Sequence, residues 1–167
     1  MSEVIAPDNT ELLKRVLGDV FQKTYIDVVR GVQTQMTEQI EQGDIEALDM
    51  PIHHYFAPDV YMRQMDAPAG ALVVSKMHRT EHLNILLKGT VTLATEHGIK
   101  TVTAPQVIKS MPGTKRIGYF HTDASWLTIH PTQETDLEKI EAQVIVPDDQ
   151  IETFLKAINY NHKEFLA

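Results

Sequence analysis

"SKMHRTEHLNILLKGT", residues 75–90, decides how the chain is read. It sets His78 and His82 four residues apart, with Arg79, Thr80 and Glu81 between them, and then runs through apolar residues to Gly89. Two histidines at that interval bind metal when they share a helical face, as in H-E-x-x-H. The flanks here are not helical. "ALVVS" precedes, "LNILL" follows, and Gly89 closes a turn, a texture that fits strands. On one straight strand, residues four apart stand ~13 Å from each other. The pair can share a ligand only if the chain bends across Arg79–Glu81. Three readings stand at this point: a metal site, a ligand pocket without metal, or an ordinary piece of β-barrel.

The strand texture extends in both directions. From residue 52 onward, short runs rich in Val, Ile, Thr and Tyr alternate with Gly and Pro punctuation. The pattern predicts strands near 52–56, 59–66, 70–77, 82–87, 90–95, 99–103, 106–110, 116–121 and 125–130. "APAG" (67–70), "KG" (88–89), "EHG" (96–98), "AP" (104–105) and "MPG" (111–113) supply turns. Many short strands with close turns indicate an antiparallel sandwich or barrel. No periodic helix interrupts them, which argues against a parallel α/β sheet.

The two ends are helical. Leu13, Val16, Leu17, Val20, Phe21, Val28, Val29 and Val32 recur near a helical period, which predicts a helix or two over 10–43. Asp8 with Glu11, or Thr10 alone, is placed to cap its start; Gly31 marks a candidate break and "EQGD" (41–44) the stop. The helix either packs on its own barrel or serves as a dimerisation arm. Near the other end, "TDLE" (135–138) has the form of a capping box, with Thr135 as the cap and Glu138 reaching back. A last helix carries Ile151, Phe154, Leu155 and Ile158 on one face, with Asp149 and Glu152 near its start.

Composition narrows the function classes. At 167 residues, the chain can bury one real core. Fifteen basic against 23 acidic side chains leave a formal charge of -8, which disfavours general nucleic-acid binding. There is no cysteine, so disulfides, zinc ribbons and thiol nucleophiles are excluded. No apolar run reaches the ~20 residues of a membrane helix. "MSEVIAPDNT" lacks the pattern of a secretory signal, and a cytoplasmic protein is expected.

The stretch "GALVVSKMHRTEHLNILLKGTVTL" resembles the first motif of the cupin superfamily. That motif carries a glycine, two histidines one residue apart, a glutamate four residues on, and a second glycine. Gly70 and Gly89 fit the frame, and His78 falls on the second histidine. Lys76 stands at the first histidine position and His82 at the glutamate. "KSMPGTKRIGYF" is similar to the second motif: Gly113 fits, Pro112 is one place late, and Arg116 occupies the last ligand position. The resemblance covers about 52–131. More narrowly, "HRTEHLNILLKG", "PGTKR" and "ASWLTIHPTQETDLEKIE" resemble small cupin-like proteins of bacteriophage and prophage genomes, a group without an assigned activity. The resemblance implies a mainly β fold: a cupin-type antiparallel jelly-roll barrel over 51–131, an N-terminal helical arm over 1–50, and short C-terminal helices over 132–167 packing on the barrel.

The departures from the motif shape the expected chemistry. A divalent ion wants neutral imidazoles and a carboxylate, but two of the four positions are cationic here, and arginine cannot shed its proton. The metal reading shrinks to a weakly held ion, such as zinc, on His78 and His82 with a third group such as Glu81. The same substitutions suit an anion, with Lys76, Arg116, His78 and His82 converging on a pocket and Arg116 offering a planar fork. In "SWLTIHP", Trp126, Thr128 and His130 share strand parity, so Trp126 can wall that pocket and His130 tip it. Against this stands the plain reading: Arg116 and Lys76 at strand ends, paired with Glu81 or Asp123. His53, His54, His97, His121 and His162 read as surface residues.

The expected ligand-binding set is therefore Lys76, His78, Glu81, His82, Arg116, Trp126 and His130. The expected function is binding of a small anionic molecule. The alternatives are a metal-dependent lyase, isomerase or oxygenase, and a virion-assembly or host-modulating scaffold. A homodimer or larger homo-oligomer is expected, because the 10–43 arm carries more apolar surface than a free helix needs.

Overall fold

The computed structural model describes residues 10–95 and 97–164, with side chains described over 23–95 and 97–158. A single helix α1 (Thr10–Gln42) leads into strands β1 (Ile52–Ala57), β2 (Val60–Ala67), β3 (Leu72–Val74), β4 (Met77–His78), β5 (His82–Lys88) and β6 (Thr90–Thr95). Strands β7 (Gly98–Thr103), β8 (Gln106–Ser110), β9 (Ile117–Phe120) and β10 (Ala124–Pro131) follow. Helix α2 (Leu137–Val144), the short strand β11 (Ile145–Val146), a 3₁₀ turn (Asp148–Gln150) and α3 (Ile151–Glu164) complete the chain. No helix among the described residues is long and apolar enough to cross a membrane.

Two antiparallel sheets form the barrel, one ordered β1-β2-β10-β5-β8 and the other β3-β9-β6-β7. Apart from β1–β2 and β6–β7, neighbours in the sheets are not neighbours in sequence, which is the mark of a jelly roll rather than a meander. The mainly antiparallel fold with helical flanks expected from the sequence is what forms. Met65, Leu86, Val91, Leu93, Val102 and Phe120 fill the space between the sheets toward one end. Gly89 makes the β5–β6 turn possible. Its φ is +95°, and a Cβ there would stand 2.6 Å from the Asp123 carbonyl and 2.7 Å from the Ala124 Cβ. Only glycine meets both demands.

Three local expectations need correction. Gly31 does not break α1, which runs on to Gln42; Gly31 costs helix propensity, about 1 kcal/mol, but meets no obstacle. The α2 cap is Asp136, not Thr135: its carboxylate accepts from the amides of Glu138 (2.9 Å) and Lys139 (3.2 Å). The predicted 70–77 strand is two strands, because β3 pairs with β9 while β4 pairs with β11. The chain changes partners at Ser75, whose amide donates to the Arg116 carbonyl and whose hydroxyl accepts from the Arg116 amide, both at 2.8 Å. Strand β11 has only two residues and was not foreseen. The proposed capping by Asp8 lies outside the described residues.

The described half of α1 docks on its own chain. Ile26 packs with Met77, Val146, Ile151 and Leu155, and Val29 is fully buried. The Gln33 amide donates to the Asp148 carboxylate at 3.1 Å, fixing the helix to the 3₁₀ turn. Helix α2 lies over the barrel's open end, where Ile140 and Val144 bury against Tyr61.

Candidate functional site

That end of the barrel holds a cavity of about 460 Å³. The two sheets give it walls of opposite character. From the five-stranded sheet come His54, Tyr61, Arg63, His82, Asn84, Thr128 and His130. From the four-stranded sheet come Val73, Leu93, Gly118 and Phe120. Met65 and Trp126 close the apolar end, while Leu137, Ile140, Glu141 and Val144 of α2 form the lid side. Those α2 positions recur at the spacing of one helical face.

The bend required at Arg79–Glu81 exists. It is held from outside: the Arg79 amide donates to the Val144 carbonyl at 2.7 Å, and its guanidinium lies 5.5 Å over the Phe154 ring. The bend brings the rings of His78 and His82 to 4.2 Å between centroids. His130 joins them, 5.6 Å from His78 and 4.9 Å from His82. The Nδ1 of His82 lies 2.9 Å from the Thr80 carbonyl. A carbonyl only accepts, so Nδ1 carries the proton and Nε2 the lone pair.

All three imidazoles are held neutral. Burial, then the neighbouring His82, His130, Arg116 and Arg63, push His78 down to about 3. Burial, His82 and Arg63 push His130 down to about 4. Burial lowers His82 as well, helped by Arg116 and opposed by the bond to Thr80. Burial raises the Tyr61 phenol, against a smaller opposite pull from Arg63. Its hydroxyl is 2.8 Å from the His54 Nδ1.

Asn84 is the hub of the polar wall. Its amide nitrogen donates to the Ser110 hydroxyl at 2.7 Å, and its oxygen accepts from Trp126 Nε1 (3.2 Å) and Thr128 Oγ1 (3.1 Å). Arg116 Nη1 also donates to Ser110, at 2.7 Å. Trp126, Thr128 and His130 thus share the inward face of β10, and Trp126 is fixed by its indole proton.

Two expected site residues are placed differently. Glu81 points away from the cavity and pairs with Lys109 on the surface. Its neighbour His82 faces inward, and strand alternation puts Glu81 outside. Lys76 lines the rim rather than the interior. It sits in the gap between β3 and β4, is exposed, and pairs with Glu141 of α2. His54, read as a surface residue, is exposed and also borders the cavity. His53 is exposed beside Asp66, at 3.0 Å, and His121 bonds Thr92 on the surface; the His162 side chain is outside those described.

Arg63 was missed. It lies on β2 between Tyr61 and Met65, which share its parity and also line the cavity. Among the described residues it has no hydrogen-bond or ion-pair partner. Alternation in "YMRQM" was the available signal, but it does not say which parity faces inward.

Three neutral imidazoles are a suitable donor set for zinc or iron. Their arrangement does not suit one. The ring planes of His78 and His130 lie within 16°, and the other pairs within 33° and 35°, so the rings present faces to each other while imidazole lone pairs lie in the ring plane. Among the described residues no three His, Asp or Glu side chains are placed to hold a metal ion together. Two guanidiniums also bear on this cluster.

No family model matches the chain. No curated protein matches it. Solved structures resemble parts of it. An RmlC-like cupin from Shewanella frigidimarina shares 16% identity over 54% of this chain and 83% of its own, with a TM-score of 0.45. An ethanolamine utilization protein from Salmonella typhimurium shares 12% over 53% of this chain and 74% of its own, also at 0.45. An acetylacetone dioxygenase from Acinetobacter johnsonii shares 17% over 49% of this chain, with a TM-score of 0.42; the match spans 59% of that enzyme.

Proposed function

We propose that the protein binds a small organic anion inside the barrel. One observation carries this reading: Arg63, a half-buried guanidinium on the cavity wall, has no partner among the described residues. A cation withdrawn from water without a counter-charge is costly. The rest of the lining does not supply that charge. Among the described residues its single carboxylate is Glu141, already engaged by Lys76 at the rim. Among the described residues three cationic side chains therefore line the cavity with one carboxylate, in a protein whose overall charge is -8. The histidines stay neutral and donate or accept hydrogen bonds as needed.

The cavity volume falls within the ~300–1,000 Å³ range of small-molecule sites. A ligand that binds only the folded form raises stability by mass action, about 2.7 kcal/mol at a hundredfold excess over its dissociation constant. A thermal-shift panel of small anions, neutral analogues and cations tests the reading. At least one anion should raise the melting temperature, and Arg63→Gln should remove that rise. A panel in which no anion acts, or in which Arg63→Gln responds as the wild type does, would refute it.

A further inference from the structure

We infer that the anion is a monocarboxylate with an apolar body; this deepens the anion reading above and rests on it. The two facing walls decide the ligand's shape of polarity. Facing sheets stand ~10 Å apart, so a molecule between them touches both. On one side it meets Arg63. On the other it meets Val73, Leu93 and Phe120, which offer no hydrogen bond. One end of the ligand is therefore charged and the remainder is not.

The charged end is small. Arg63 is one planar fork, and a fork pairs with one carboxylate through two parallel bonds. The other cations are already engaged in part: Arg116 Nη1 donates to Ser110, and Lys76 pairs with Glu141. The body is poor in hydroxyls. Asn84, which could read a sugar hydroxyl, already gives one of its two N–H donors to Ser110, and its oxygen is filled by Trp126 and Thr128. A sugar phosphate would press unpaired hydroxyls against Leu93 and Phe120, which is unfavourable. The 460 Å³ cavity holds roughly fifteen water volumes at ~30 Å³ each, a ceiling on body size.

Calorimetric titration of the full chain with benzoate, hexanoate, benzamide, inorganic phosphate and glucose 6-phosphate tests this. Benzoate and hexanoate should bind saturably. Benzamide, which keeps the shape and loses the charge, should bind at least tenfold more weakly. Arg63→Gln should weaken benzoate at least tenfold, and Leu93→Asn should weaken both carboxylates severalfold. If Arg63→Gln fails to fold, Arg63→Lys keeps the charge, loses the fork, and should still bind benzoate less tightly. Arg63-dependent binding of phosphate or glucose 6-phosphate, with neither carboxylate bound, overturns this inference and leaves the anion reading standing. Equal binding of benzamide and benzoate overturns it too. Binding of none of the anions overturns both.

Discussion

Asn84 and Arg116 donate to the same oxygen, the Ser110 hydroxyl, each at 2.7 Å. Ser110 is fully buried, so no water stands ready to replace it. Ser110→Ala would strip both donors of that acceptor. An orphaned buried donor costs ~1–3 kcal/mol, and a loss of about 2–3 kcal/mol is expected in urea unfolding. A loss below about 0.5 kcal/mol would show that Asn84 and Arg116 find other acceptors.

Acid should weaken the fold before the carboxylates titrate. An imidazole in the unfolded chain titrates near 6.5. In the folded chain His78 is pushed down to about 3 and His130 to about 4, with His82 also lowered. Between those values the unfolded chain holds more protons, so stability rises with pH across the window. The stability is fully present above about pH 6.5 and declines as pH falls toward 4. The melting temperature should drop by several degrees from about pH 7 to pH 5, and His130→Gln should flatten that slope. A flat wild-type profile there would show that the imidazoles protonate freely in the fold.

Glu141 sets the charge of the rim. Glu141→Gln frees Lys76 and removes the one carboxylate that the described residues give the lining, so affinity for an anion such as benzoate should rise about threefold at low salt. The gain should shrink as salt screens the rim. Lys76→Ala should act in the opposite direction. Titrations at low and high ionic strength that give identical affinities for wild type and Glu141→Gln would rule out this electrostatic account.

Metal should not settle on the histidine cluster. Dialysis after zinc loading, followed by elemental analysis, is expected to leave no stoichiometric ion. Retention of one zinc per chain, lost in His82→Ala, would mean that the stacked rings rotate to converge.

The barrel was legible because its turns are written in Gly and Pro. Gly89, Pro105 and Pro112 mark chain reversals whose strands lie within a residue or two of the expected ones. The need for a bend between His78 and His82 was also legible, since a straight strand would have parted them. The inward row of β2 was not. A strand's alternation names two faces, and only its partner settles which is inner; β10, far along the chain, places Thr128 opposite Arg63. Asn84 and Ser110 were hidden for the same reason, since their bond joins residues brought together by the β5–β8 pairing. The rim position of Lys76 was hidden because the 70–77 run looks uniform. Its interruption at Ser75 depends on contacts with Arg116, which no local pattern shows.

The strand order has a consequence for how the protein comes into being. β10 sits at the centre of its sheet, between β2 and β5, yet it is the last strand of the barrel to be made. A ribosome that has released the first 123 residues has delivered Arg63, His78, His82 and Asn84, but has left the facing edges of β2 and β5 open. The cavity's polar wall closes only when Trp126, Thr128 and His130 slot between them. A chain cut short before Ala124 carries most of the site's residues without a site and with two exposed strand edges that invite aggregation.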